Sequence, residues 1–299
     1  MGGKNFFYDR TDARLDTANA KVPEYDGEML VHMKTRKKLF IIGIVTSGRR
    51  NKLLRLLSVL QSQCDALIDV YINENGSNEL LQRDFSTFTR LRIIVFRQKE
   101  ANISKARNTL LRAARSRAKW MIFIDDDCLP SEAWIVTIAE FFRSKKAMTI
   151  NAVQGMTSVD PDAGLFTRIS LALYRLWFLY NMTGDYSNIL DTKCCALRLL
   201  PQASDGLAFD ESLRYGSDID LGCRLRIRLG DKSIALHRSW TVRHEERPRT
   251  LAFIAHRVRL SGAFRLVAQR HPEMLRSAPL SEKIRTIGKL LLEKRKVFH

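Results

Sequence analysis

The chain has 299 residues, with 50 Lys and Arg against 32 Asp and Glu, so its formal charge is +18. Hydrophobic residues make up 45% and charged residues 27%, a balance that belongs to a folded chain and excludes a disordered one. Only 7 Pro and 15 Gly exclude a collagen-like sequence, and five cysteines without a Cys-x-x-Cys exclude a disulfide framework or a zinc knuckle and point to reduced thiols in a cytosol.

Met1 to Leu30 is mixed in charge and has no apolar h-region, so no secretory signal is expected there. Phe6 stands where a myristoylation signal at Gly2 wants Ser or Thr. Leu39–Thr46 is a continuous apolar run, as in a strand buried on both faces. Arg50–Gln63 follows as a helix with Leu53, Leu56, Leu57 and Leu60 on one face. Leu67–Asn73 reads as a second strand ending in the turn signal Glu74-Asn75-Gly76-Ser77, and Leu91–Arg97 as a third. Ser104–Ala118 is expected to be helical and Trp120–Asp125 to be a fourth strand. Strands alternating with helices predict an α/β fold, with a mostly parallel sheet flanked by helices. In such sheets ligands bind beyond the carboxyl ends of the strands, and these strands end in Thr46-Ser47-Gly48-Arg49, Glu74-Asn75-Gly76 and Asp125-Asp126-Asp127.

The second half is less regular. Thr149–Gly155 is read as a strand, Gly164–Asn181 as an apolar helix, and Asp218–Leu229 as a helix capped by Gly230. Ser233–Arg238 and Trp240–His244 are expected as two short strands, and the chain from Leu251 as helical with breaks at Gly262, Pro272 and Pro279. The apolar stretch Leu165–Met182 is interrupted by Arg168 and Arg175 and is marginal for a bilayer span, so no transmembrane helix is expected.

Three consecutive carboxylates at Asp125–Asp127 repel one another unless something neutralises them, and they are not expected to be a buried continuation of the strand. A divalent cation with hard oxygen ligands removes that repulsion; a solvated turn capping the next helix is the alternative. The surrounding blocks decide. Ile44-Val45-Thr46-Ser47-Gly48-Arg49, Ile72-Asn73-Glu74-Asn75-Gly76-Ser77, Asn102-Ile103-Ser104-Lys105-Ala106-Arg107-Asn108 followed by Phe123–Pro130, and Phe209-Asp210-Glu211 followed by Gly216–Leu221 occur in an order and spacing that resembles the family-two glycosyltransferases.

That resemblance implies a GT-A nucleotide-sugar-binding fold. It implies an N-terminal extension over 1–38 and a transferase domain over 39–248, with 39–130 as the nucleotide-sugar half and 131–248 as the acceptor half. A basic helical extension follows over 249–299. It also implies a metal-dependent inverting transfer of a single sugar from a nucleotide-diphosphate sugar, UDP-linked, to a hydroxyl of a glycan or lipid-linked acceptor in cell-surface polysaccharide synthesis. Asp218 would be the general base; Thr46, Arg49, Glu74, Asn102, Arg107, Asp125 and Asp126 would line the donor; Asp127 and His244 would hold Mn²⁺ or Mg²⁺. Glu74 stands where the family usually has Asp, and Ser217 where it often has Glu. Processive members resemble one another in a Gln-x-x-Arg-Trp motif that this sequence lacks.

Two apolar faces accompany these motifs. Leu165–Asn181 reads as core, with a lip over the acceptor as the other reading. Leu280, Ile284, Ile287 and Leu291 form a stripe flanked by Lys and Arg, which fits either a solvated helix on its own domain or a helix on an anionic membrane, on the cytoplasmic face. The competing functions are a sugar-phosphate nucleotidyltransferase, disfavoured because no early Gly-rich phosphate-gripping stretch is present, and a catalytically degenerate basic protein binding nucleic acid or membrane. No nucleic-acid motif is present, so no nucleic-acid partner is expected.

Overall fold

The computed structural model describes residues 37–76, 80, 82–159, 164–200, 208–245, 262, 264–275 and 279–295. The expected extension 1–38 lies outside them except for its last two residues, and much of 249–299 lies outside them too. The described elements are β1 (Lys38–Thr46), α1 (Arg50–Ser62), β2 (Ile68–Asn75), β3 (Leu91–Gln98), α2 (Ile103–Ala114), β4 (Ala118–Phe123) and β5 (Cys128–Pro130). Then come α3 (Trp134–Arg143), α4 (Lys146–Thr149), β6 (Ala152–Val159), α5 (Leu165–Tyr180), β7 (Met182–Thr183), β8 (Tyr186–Ser187) and β9 (Cys195–Arg198). The last are α6 (Ser217–Leu229), β10 (Ile234–His244) and α7 (Leu280–Arg295).

One sheet runs β3-β2-β1-β4-β9-β6-β10-β8-β7, with β5 paired to β10. The first four strands are parallel neighbours, so all their carboxyl ends lie on one edge. The short β9 enters antiparallel between β4 and β6, and β6 pairs parallel with β10. The sheet therefore has a doubly wound first half, and β9 marks where its connectivity changes. Ligands in open α/β sheets are expected near such a switch.

The hydrophobic pattern explains the layers. On α1 the residues Leu53, Leu56, Leu57 and Leu60 are all fully buried, which together contributes roughly 6–12 kcal/mol of gross hydrophobic stabilisation. They join Ile42, Ile44, Val70 and Ile72 from alternate positions of β1 and β2, while Ile41, Tyr71 and Met121 face the α2 and α6 side. Trp134 of α3 packs on Trp240 of β10 with ring centroids 5.3 Å apart. A third core joins Phe178 of α5, Ile219 and Cys223 of α6, Leu236 of β10 and Val267. The described 264–275 segment is thus part of the folded body.

Several boundaries differ from the sequence reading. The helix expected over 104–118 ends at Ala114, because Arg117 N–H turns back to the Ala114 carbonyl at 2.9 Å and the next strand starts at Ala118. Glu74 and Asn75 belong to β2, and the turn falls on Gly76 with φ 78°. The two short strands expected at 233–238 and 240–244 are one strand, β10, whose register on β6 shifts between Leu236 and Thr241. Gly262, expected as a break, is helical. All five cysteines are free and buried. Among the described residues no helix is long and apolar enough to cross a membrane.

Candidate active site

The acidic loop leaves β4 at the carboxyl edge of the sheet and turns at once into β5. β4 ends at Phe123, so these carboxylates are not a continuation of the strand, but the turn that carries them is itself buried: Asp126 is 1% and Asp127 7% exposed. Their charge is balanced from elsewhere in the chain. The Thr46 hydroxyl, at the end of β1, donates to Asp126 Oδ2 at 2.6 Å. Arg49, in the loop between β1 and α1, donates through Nε to the same oxygen at 3.1 Å and bridges on to Asp127. Lys52 Nζ lies 3.8 Å and His244 Nε2 3.3 Å from Asp127.

These environments push the neighbouring carboxyls apart. Burial raises Asp126 to about 6, against the opposing pull of Arg49 and of the Thr46 hydrogen bond. Burial also works against ionised Asp127, but its hydrogen bond to His244 and the charges of His244, Arg49 and Lys52 outweigh it, holding the carboxyl well below the ordinary range. Asp125 is raised by burial; Arg107, whose guanidinium is 3.6 Å from Asp125 Oδ1, opposes the shift and Asp127 adds to it. Arg107 is itself buried on α2 and sits over the Phe209 ring, 5.5 Å from its centroid.

Asp127, Cys128 and His244 each offer a ligand atom, all within 4.8 Å of one another. Burial raises the Cys128 thiol well above its ordinary value, so it stays protonated. The usable donors are then one carboxylate and one imidazole, an oxygen–nitrogen set compatible with Mn²⁺ or Mg²⁺. The residues present fit a divalent cation.

Asp218 lies in the first turn of α6, whose N-cap Gly216 has φ 74°, a left-handed conformation that costs glycine little. Its Oδ2 accepts from the Thr192 backbone N–H at 3.3 Å and the Thr192 hydroxyl at 3.2 Å, and its Oδ1 accepts from Ile219 N–H at 3.0 Å. Close packing of α6 on the chain before Thr192 makes this possible. A Cβ on Gly222, one turn after Asp218, would stand 2.7 Å from the Leu190 nitrogen.

The segment 191–193 connects the two acidic motifs, and the sequence reading missed it. Thr192 holds Asp218, while the Lys193 charge acts on Asp125. Lys193 Nζ bonds both oxygens of buried Asp191, at 2.9 and 2.8 Å, and lies 5.0 Å from the centroid of the Tyr174 ring. The Tyr174 hydroxyl donates to Asp191 Oδ2 at 2.7 Å. Burial opposes both charges of this pair, yet Asp191 raises Lys193 well above its usual value and Lys193 holds Asp191 below its own. An Asp-x-Lys in an irregular stretch carries no sequence signal for this.

Of the expected donor residues, Thr46, Arg49, Arg107 and Asp125–Asp127 converge at this edge, with His244 beside them. Glu74 is fully buried at the end of β2, where Oε1 accepts from Leu80 N–H at 2.9 Å and Oε2 pairs with Arg97 at 3.1 Å. It fixes the chain after β2. Asn102 is the N-cap of α2: Oδ1 accepts from Lys105 N–H at 3.0 Å, and Nδ2 donates to the Glu211 carbonyl at 2.9 Å. His271, given no role from the sequence, lies 2.9 Å from Asp220 Oδ1 and ties the 264–275 segment to α6.

A parallel half-sheet with Asp-x-Asp at the end of its fourth strand, and a second acidic motif across the site, defines a glycosyltransferase of the GT-A type. The family model for glycosyl transferase family 2 matches residues 41–199, and the chain belongs to that family. Solved structures share the fold. Glucosyl-3-phosphoglycerate synthase from Mycobacterium tuberculosis, in complex with Mn²⁺, uridine diphosphate and glucosyl-3-phosphoglycerate, aligns with TM-score 0.55 and 14% identity over 79% of this chain and 80% of its own. S. aureus TarS 1–349 in complex with UDP-GlcNAc gives TM-score 0.57 and 15% identity over 85% of this chain and 71% of its own. The chain spans 43% of a longer TarS structure. No curated protein sequence matches it.

Proposed function

We propose that this chain is a metal-dependent inverting glycosyltransferase that moves one sugar from a UDP-linked donor to a hydroxyl of a glycan or lipid-linked acceptor. The observation that carries the reading is the segment 191–193, which holds Asp218 through Thr192 and, through the Asp191-paired Lys193, places a positive charge that acts on Asp125. Inverting transfer needs a base on one side of the sugar and charge stabilisation on the other. Thr192 and Lys193 are adjacent in the chain, so the segment that bonds Asp218 also carries the charge that acts on Asp125. The UDP and Mn²⁺ bound to structural neighbours supply the donor class by analogy.

In this reading the acceptor oxygen forms its bond to the anomeric carbon as the bond to the diphosphate oxygen breaks. Asp218 takes the acceptor proton, and the electron pair leaves on the nucleoside diphosphate. Asp127 and His244 would hold the cation, which when bound stabilises negative charge on the departing diphosphate. Arg107 and Lys193 add fixed positive charge on the Asp125 side, and Arg49 is available to meet the diphosphate once a cation takes Asp127. Thr46, Asp125 and Asp126 line the donor side. Glu74 and Asn102 support it from behind, by holding the chain after β2 and the start of α2.

Residues 39–130 then form the donor half and 131–248 the acceptor half of one domain. The basic stretch beyond 249 is assigned to a peripheral contact on the cytoplasmic face of a membrane, as part of cell-surface glycan synthesis. Its support is the face of α7 that carries exposed Leu280 and Ile284 beside Arg285. Release of UDP from UDP-sugars in the presence of Mn²⁺, compared between the native chain and Asp218→Asn, tests the assignment. A fall in turnover of about 10²-fold or more with donor affinity retained supports it. Unchanged turnover removes Asp218 from the mechanism.

A further inference from the structure

Antiparallel pairing of β4 with β9 sets Phe123 opposite Cys195. Carried two residues further, the same register brings Lys193 opposite Asp125, while the adjacent Thr192 bonds Asp218. Lys193 is thus next to both the donor-side carboxylate and the segment that bonds the proposed base. The charges agree with this placement: Lys193 and Asp125 act on each other, and both Lys193 and Asp218 act on Tyr174. The transferred sugar has to lie between the donor-side carboxylate and the base.

A count of hydrogen bonds shows which groups here are left for a ligand. Asp191 Oδ1 accepts from the Lys193 backbone N–H at 3.0 Å and from Nζ at 2.9 Å. Its Oδ2 accepts from Nζ at 2.8 Å and from the Tyr174 hydroxyl at 2.7 Å. A carboxylate has about four such sites, so Asp191 is filled. The Lys193 ammonium is not: two of its protons go to Asp191, and the third has no acceptor among the described residues. Its side chain is 20% exposed. Opposite it, Asp125 is 27% exposed and has Arg107 at 3.6 Å, but its carboxylate oxygens accept no hydrogen bond among the described residues. A buried ion pair adds little stability over apolar residues of the same volume. What the pair does here is orient: Asp191 and the Tyr174 ring, whose centroid is 5.0 Å from Nζ, hold the ammonium in one place.

We infer that Lys193 is a specificity-determining residue for the donor sugar, giving its third ammonium proton to a hydroxyl or acetamido oxygen of the transferred ring, with Asp191 and Tyr174 as positioning residues. This rests on the transferase reading above and narrows its donor. Because Asp191 already balances the Lys193 charge, the site supplies one directed hydrogen bond rather than a net positive charge. The sugar is therefore an uncharged hexose or N-acetylhexosamine. A uronate would bring a carboxylate close to Asp125 and Asp218, where Arg107 and Lys193 are each already matched to a carboxylate of the chain.

The test is calorimetric titration of the full chain in Mn²⁺ with UDP, UDP-glucose, UDP-galactose, UDP-N-acetylglucosamine and UDP-glucuronate in separate arms. The quantity read is the affinity of each UDP-sugar relative to that of UDP. Lys193→Met alone would leave buried Asp191 without its cation, so it is combined with Asp191→Asn, which removes both charges and keeps the net charge. In this double variant the tightest neutral UDP-sugar is expected to lose about tenfold more affinity than UDP does, the scale of one charge-assisted hydrogen bond. Tyr174→Phe, which keeps the ion pair and removes one bond to Asp191, is expected to move the same ratio in the same direction by about threefold. Equal losses for UDP and UDP-sugar in both variants overturn the inference, since a merely structural role predicts them. UDP-glucuronate as the tightest ligand overturns the uncharged class. No UDP binding by the native chain fails the transferase reading and this inference with it, whereas native UDP binding with an unchanged ratio in the variants fails this inference alone.

Discussion

Replacing Gly222 by Ala tests whether close packing of α6 builds the site. Gly to Ala inside a helix favours the helix by about 1 kcal/mol, so helix propensity alone predicts a more stable protein. The packing predicts the reverse. The new Cβ would meet the Leu190 nitrogen at 2.7 Å, the Ile189 carbonyl carbon at 3.1 Å and the Ile189 Cα at 3.2 Å. All three are backbone atoms, which no rotamer change can move aside, and comfortable separation is roughly 3.5–4.0 Å. The helix or the 189–192 segment must shift by something under 1 Å, at an overpacking cost of about 1–3 kcal/mol. The net expectation is a loss of up to about 2 kcal/mol, read as a lower urea midpoint with the slope unchanged. The same shift acts on Asp218, whose bonds to Thr192 are already 3.2 and 3.3 Å long and break when the two segments part. Turnover is therefore expected to fall about 10–100-fold, more than stability loss explains. A variant more stable than the native chain, with native turnover, would refute the close approach and the positioning argument built on it.

Four further outcomes follow from the charges. Arg49→Met leaves buried Asp126 and Asp127 without their shared guanidinium; because the Arg49 side chain is 42% exposed, the loss is expected to be about 1–3 kcal/mol rather than the larger buried-pair value. Thermal melts are expected to show Mn²⁺ stabilising this variant more than the native chain, and equal metal effects would contradict the competition between Arg49 and a cation. Asp191→Asn strands Lys193 and is expected to lower stability by about 3–5 kcal/mol near neutral pH. Since Asp191 is held below its ordinary value in the folded chain, its contribution is present above an unfolded value of about 3.9 and is lost as pH falls through the folded one. The gap between native and variant urea midpoints is thus expected to narrow from pH 6 to below pH 3, and a gap that widens on acidification would contradict the pairing.

The parts of the fold legible in the sequence are those set by local pattern. The apolar runs of β1 to β4 and the leucine face of α1 carry their burial in their own spacing. So do Trp134, Ile135, Ile138 and Phe142, which mark α3 although the sequence reading passed over it. The short β9 was not legible, because four residues within a longer apolar stretch have no period, and its antiparallel place between β4 and β6 is decided by partners distant in the chain. Exposed Arg238 and Ser239 look like a turn between two strands, yet they ride on a single strand whose register shifts there.

The site divides in the same way. Asp125–Asp127 and Asp218 stand out because clustered carboxylates at element ends have few structural uses. What buries Asp126 and Asp127 was invisible, since their counter-ions Arg49 and Lys52 and the hydroxyl of Thr46 come from the end of β1 and the start of α1, beside β4 in the sheet but distant from it in the chain. Glu74 and Asn102 were read as donor contacts from their place in a motif. Their bonds to Leu80, Arg97, Lys105 and Glu211 show that such residues can hold the backbone that forms a pocket.

The most direct test of the central claim is calorimetric titration of the native chain with UDP, GDP, dTDP and CMP, each with and without Mn²⁺, beside Asp127→Ala. The account predicts binding of UDP that requires Mn²⁺ and is lost in the variant. Nucleotide binding that ignores the metal and survives the substitution, or no binding under any condition, would contradict it.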